Sequence, residues 1–359
     1  MTGANPSFRE DTLAKAKSPI VEPREHVFET ILGQDHAKRM CRAMIAADRL
    51  PRALLLHGRP GVGKKSLAYA LAKLINCYPE GERADCALPA CRKIARGVYL
   101  DLIEISPSGP GGQIRVESAH EAEARLATSP IEARRKILLI LDAHRMNVAT
   151  ANALLKTIEE PPRHANILLV TDRPGMLVTT IRSRCTPIRC GEIESERLAD
   201  WLLERVARLG GDRERARFVA LLSEGRPGQA LALIATGLLE HRAETLEALV
   251  TFHREGYRAF MITAYHLARG QRDLGGALAM LFAWYRDLLV SRIAPEESDL
   301  LLNKDQQEAL RSLGATVPLR GLVQALEQIA RRFDLADRIA MPQLVLESLL
   351  VEVGTATKA

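Results

Sequence analysis

The chain contains no apolar run approaching the ~20 residues that a membrane-crossing helix requires. Its first residues lack the apolar core of a signal peptide. A cytoplasmic location is therefore the expectation. Aromatic residues make up 4% of the 359, so the core must be built from Leu, Ile, Val and Ala. Cysteine occurs six times, too sparsely for the disulfide framework of a small secreted domain. Charge is not segregated into blocks. The net charge of +6 favours polyanions such as nucleic acid, and an interspersed solvated surface explains it equally well. No internal repeat is visible.

What is present fits a globular chain of two or three domains, with 47% apolar and 26% charged residues. Residues 1–25 are polar, contain Pro6, Pro19 and Pro23, and read as a mobile tail. From 26 to 191, short apolar runs alternate with helical stretches. Ala53–His57, Leu100–Ile105, Ile137–Leu141 and Ile167–Thr171 read as strands. Ser66–Ile75, Val116–Leu126 and Ala149–Glu160 read as helices, the last stopped by Pro161-Pro162. This alternation predicts an α/β fold, a parallel sheet covered on both faces. Strand signals stop after Glu192. A small helical unit is expected over 192–241 and a larger all-α unit over 242–359, with apolar residues at three- and four-residue spacing.

Gly58-Arg59-Pro60-Gly61-Val62-Gly63-Lys64-Lys65-Ser66 follows a strand and opens a helix, the context of a phosphate-binding loop. Glycines let backbone amides turn toward phosphate oxygens, and Lys64 can reach the β/γ-phosphates. The position after Lys64 normally carries a Ser or Thr whose hydroxyl holds Mg²⁺, yet Lys65 stands there and Ser66 comes one place late. Asp142 ends an apolar strand and suits a Walker B aspartate, contacting Mg²⁺. The next position, where an ATP-hydrolysing relative needs a carboxylate for its water, is Ala143. Losing a positioned general base costs about 10²–10⁴ in rate. His144 is either a substitute base or, as we favour, a structural residue.

Two segments carry a family resemblance. Ala151-Asn152-Ala153-Leu154-Leu155-Lys156-Thr157-Ile158-Glu159-Glu160-Pro161-Pro162 and Leu177-Val178-Thr179-Thr180-Ile181-Arg182-Ser183-Arg184-Cys185 are very similar to segments of bacterial DNA polymerase III clamp-loader subunits. The order of phosphate loop, Asp strand, helix, Thr171 strand and Ser-Arg-Cys also matches. The resemblance runs from about Ile31 to the C-terminus, where Asp337–Leu350 looks like the last helix of the family's collar domain. It implies an AAA+ domain, a helical lid and an oligomerising collar.

Lys65 replaces the family's Mg²⁺-binding Thr, Ala143 its catalytic Glu, and Gly228 its sensor-2 Arg, with Arg226 two positions early. These departures resemble delta prime, the inactive partner, more than the motor subunits gamma and tau. The resemblance then implies a stator with no intrinsic ATPase, placing Arg184 as an arginine finger in a neighbour's ATP site. Its cofactor would be ATP or ADP, with or without Mg²⁺. Its partners would be the motor subunits, delta, the sliding clamp and primer-template DNA, with Lys156 a candidate for the DNA-facing surface. Thr171 occupies the sensor-1 position, where it either bonds the γ-phosphate or caps its strand. Cys77, Cys86 and Cys91 resemble the family's zinc module of four cysteines, but the later spacing breaks. Asp85 or a glutamate would have to complete a zinc set; the other reading is a decayed module with reduced thiols. Cys41, Cys185 and Cys190 are expected to be packing residues.

Overall fold

The computed structural model describes residues 23–358 apart from 84–85, 109–111, 236, 238, 240–241, 256–263, 265–273 and 334–341. Most of the polar N-terminal segment, Asp85 and the start of the expected last helix thus lie outside the described residues.

Five parallel strands form one sheet in the order β2-β3-β4-β1-β5: β1 is Ala53–His57, β2 Leu102–Ile105, β3 Lys136–Ile140, β4 Ala165–Thr171 and β5 Thr186–Arg189. The strand alternation divides the core in two. Leu54, Leu56, Ile137, Leu139, Leu168 and Val170 face a cluster shared with Leu67, Leu71 and Leu74 of α2 (Lys64–Cys77). Leu55, Leu138, Ile140, Ile167 and Leu169 face the other side, where α4 (Val116–Ala127) and α5 (Val148–Glu159) bring Ala122, Leu126, Leu154 and Ile158. Both faces are buried, which is why the strands read as continuous apolar runs. Asn147 starts α5 by accepting the Thr150 amide at 2.8 Å through its side chain.

Three elements depart from the sequence reading. Strand β5 carries Pro187 and gives no apolar run; it survives because it is an edge strand, where a missing N–H is tolerated. Helix α1 (Asp35–Ala46) was not anticipated. Strand β2 begins at Leu102 rather than Leu100. The carboxylate of Asp101, fully buried, accepts the backbone amides of Ile131, Glu132 and Ala133 at 2.8–3.1 Å, tying the start of the strand to a loop.

Short helices α3 (Pro89–Arg96) and α6 (Thr179–Arg182) complete the sheet region. Helices α7 (Ser195–Arg205), α8 (Arg213–Leu222) and α9 (Pro227–Ala235) follow. Then come α10 (Arg242–Glu255), α11 (Leu274–Ile293), α12 (Gln307–Thr316), α13 (Leu319–Phe333) and α14 (Pro342–Lys358). One apolar cluster joins Leu202, Phe218 and Leu233 to Leu249, Leu281 and Leu346. Helix α11 is apolar nearly all round and sits inside that cluster.

Candidate functional site

The phosphate loop leaves β1 at His57. Gly58 has φ +155°, and a Cβ there would stand 2.1 Å from the Cys190 carbonyl oxygen, so a side chain is excluded. Cys190 in turn donates its amide to the His57 carbonyl at 2.7 Å, fixing the loop's root to the end of β5. Lys64 opens α2 and donates to the carbonyls of Gly58 and Arg59, both at 2.8 Å. Burial lowers the Lys64 pKa, opposed by the nearby carboxylates of Asp172 and Asp142.

The loop is also held from outside. The Gly228 amide, in the first turn of α9, donates to the Gly61 carbonyl at 2.8 Å. A Cβ on Gly228 would lie 3.0 Å from the Gly61 Cα. Arg59 pairs with Glu224 and holds that carboxyl below its usual range. Gln34 donates to the carbonyls of Val62 at 3.0 Å and Gly191 at 2.7 Å, and accepts the Gly191 amide at 3.1 Å. Arg226 donates to the Ser223 carbonyl at 2.9 Å and does not line the cavity described next.

Beside the loop lies a cavity of about 730 Å³. Its apolar part includes Ile31, Leu32, Trp201 and Leu231; its polar part includes Lys64, Lys65, Ser66, Asp142, Arg145 and Asp172. Gly61 and Gly63 line it as well, while Gly58 and Thr171 do not. Trp201 Nε1–H is buried without an acceptor among the described residues. Asp172 Oδ1 is also buried; His144 Nδ1 lies 3.2 Å away, but off the line of a hydrogen bond. An apolar pocket joined to a cationic loop with unsatisfied polar atoms fits a nucleotide's base and phosphates.

Asp142, at the end of β3, has φ 48° and faces the cavity from an exposed position. Ala143 is fully buried against the sheet's second cluster, so no carboxylate follows Asp142. His144 Nδ1 lies 3.1 Å from Thr171 Oγ1, and burial lowers the His144 pKa. Thr171 Oγ1 also accepts the Arg173 amide at 3.1 Å, so this hydroxyl is engaged within the chain. Asp172, Trp201 and Gln34 were missed by sequence reasoning. Asp172 follows the sensor position directly and was legible from that; Trp201 and Gln34 reach the site only through packing.

Arg184 lies elsewhere. It follows α6 and lines a groove of about 380 Å³ with Arg52, Ala53, Glu159, Pro161 and Thr186. The groove lies at the starts of β1 and β5 and the end of α5, opposite the strand ends that carry the larger cavity. Arg184 donates to the Thr180 carbonyl at 2.9 Å and pairs with Glu159, while its side chain stays 38% exposed. Lys156, one turn back on α5, is exposed.

The thiols of Cys77, Cys86 and Cys91 all lie within 4.8 Å of one another, and no fourth His, Cys, Asp or Glu joins them among the described residues. They supply three of the four ligands of an ordinary structural zinc site. Hydrogen bonding from Cys91 pulls Cys77 down to about 7 and pushes Cys91 up. Cys41, Cys185 and Cys190 are buried, with pKa values raised by burial.

Comparison with known proteins agrees with this geometry. Residues 33–194 match the family model described as DNA polymerase III, delta subunit. DNA polymerase III subunit tau of Salmonella typhimurium is 30% identical over 315 residues, 82% of this chain and 48% of the relative. Subunit delta' of Pseudomonas aeruginosa is 29% identical over 267 residues, 73% of this chain and 78% of the relative. A gamma-subunit-related protein of Thermotoga maritima aligns at 18% identity and TM-score 0.44, covering 88% of this chain and 99% of its own. The chain spans 39–62% of the length of the tau relatives it matches first. Phosphate loop, Asp strand, sheet order and Ser-Arg-Cys turn thus accompany a similarity to the clamp-loader subunits tau and delta' of bacterial DNA polymerase III.

Proposed function

We propose that this subunit is of the delta-prime type, a stator without its own ATP turnover that presents Arg184 to the ATP site of a neighbouring motor subunit. The observation that carries the reading is the separation of the two sites. Arg184 stands at the amino ends of the strands and shares no lining residue with the chain's own cavity at their carboxyl ends. Its guanidinium therefore has no route to a nucleotide held by the same chain, and only an adjacent subunit can supply the phosphate. The cavity retains the loop and Asp142 but lacks a carboxylate at Ala143, which supports binding without hydrolysis. The ring would combine this chain with motor subunits and delta, and load the sliding clamp on primed DNA in the cytoplasm. The nucleotide would be ATP or ADP. Zinc would need a fourth ligand beyond the three thiols.

The test is ATP turnover by a reconstituted loader with clamp and primed DNA, comparing wild type with Arg184→Ala. An assembled complex that loses turnover supports the finger; unchanged turnover sinks it. A second reading, a gamma/tau-like motor, is favoured by the tau relatives and by the His144–Asp172 approach. It requires the isolated chain to hydrolyse ATP.

A further inference from the structure

We propose that the cavity binds a nucleoside di- or triphosphate without a divalent cation, the Lys65 ammonium standing in for the absent magnesium charge. The inference rests on the reading of this cavity as a nucleotide site and is independent of any role for Arg184.

The argument begins with the lining. Three cationic side chains, Lys64, Lys65 and Arg145, and two carboxylates, Asp142 and Asp172, border the same space. A phosphate chain brings several negative charges, and in a hydrolysing site a bound cation offsets much of that charge together with the nearby aspartate. Here the residue at the metal-holding position is itself a cation, on an exposed part of the first turn of α2. An ammonium at that place repels a divalent ion and attracts phosphate oxygen. Ser66 lines the cavity too, but it lies one residue on, about 100° further round the helix. It cannot reproduce the position that Lys65 fills.

The rest of the site is compatible with a ligand that is held and not turned over. Among the described residues Lys64 donates to carbonyls of its own loop, Gly58 and Arg59, which a phosphate can replace as acceptors. The first turn of α9 is docked on the loop through Gly228 and Gly61, with no arginine to sense a third phosphate. The unsatisfied Trp201 Nε1–H in the apolar part leaves a donor for the ligand's far end. Magnesium is needed in such sites to position a reacting phosphate and neutralise charge; with Ala143 in place of the base, only the second task remains, and Lys65 performs it.

The experiment is calorimetric titration of the full chain with ADP and with ATP, each in Mg²⁺ and in EDTA. Wild type, Lys65→Thr and Lys65→Arg are compared. Wild type is expected to keep its affinity within about threefold when the metal is removed. Lys65→Thr is expected to bind about tenfold or more weakly in EDTA and to recover in Mg²⁺, and Lys65→Arg to behave as wild type. Because Lys65 is exposed, unfolding is not expected, and thermal melts of each variant check this. Wild-type binding that collapses in EDTA overturns the proposal, as does a Lys65→Thr variant indistinguishable from wild type in EDTA. Failure of either nucleotide to bind under both conditions overturns the nucleotide reading of the cavity as well, while leaving the Arg184 test untouched.

Discussion

At the carboxyl ends of β1, β3 and β4 lies a sheltered cavity with a phosphate loop, two carboxylates and no general base beside Asp142. At the amino ends of β1 and β5 an open groove carries Arg184, paired with Glu159 and still 38% exposed. In the proposed function the first place grips phosphate, and Ala143 leaves no carboxylate beside Asp142 to activate water. The second has a partly exposed cation, paired with Glu159, and no phosphate-binding loop. Chemistry that one complete ATPase site needs is thus divided between two surfaces facing away from each other. In the function proposed above, a ring of subunits would reunite them by setting one protomer's groove against another's cavity, making hydrolysis a property of the interface.

The comparison can be broken most directly at Arg184. In a reconstituted loader Arg184→Ala is expected to lower turnover at the adjacent site by about 10³–10⁵. Lys64→Ala, at this chain's own cavity, should leave the assembled loader within about threefold of wild type. Equal losses from both variants would erase the division between the two ends. Next in size is Gly58→Val. A side chain there meets the Cys190 carbonyl, so we expect a loss of about 3 kcal/mol or more in urea unfolding, with release of the loop's root. Gly228→Arg restores the motor's residue type but must push α9 off Gly61. An expected loss of about 1–3 kcal/mol, with no gain in hydrolysis, would show that α9 is fitted to the loop.

Ala143→Glu sharpens the same point. It returns a carboxylate beside Asp142, yet at a fully buried position and without the Mg²⁺-holding hydroxyl. Steady-state turnover of the isolated variant should remain at background, and its stability should fall because a buried charge lacks a partner. The smallest effect concerns His144, whose pKa in the fold is lowered by burial. A base depressed on folding gives stability that is complete above the unfolded value of about 6.5 and lost as pH falls through the folded value. Unfolding midpoints at about pH 8 and pH 5 should therefore differ, and His144→Asn should reduce that difference.

Much of this was legible in the chain itself. The runs 53–57, 137–141 and 167–171 announced buried parallel strands because both faces of such strands are covered, leaving no polar alternation to blur them. The loop from Gly58 to Ser66, Asp142 with Ala143, and the Ser183-Arg184-Cys185 turn were visible because their chemistry depends on residue type at fixed local spacing. Strand β5 was hidden, since two exposed positions, Pro187 and Arg189, remove the apolar signal from an edge strand. Only the tertiary structure set Gly228 against Gly61, brought Trp201 and Asp172 to one cavity, clustered three thiols within 4.8 Å and placed Arg184 at the far end of the sheet. Those relations join residues distant in the chain, and packing, which no local spacing encodes, decides them.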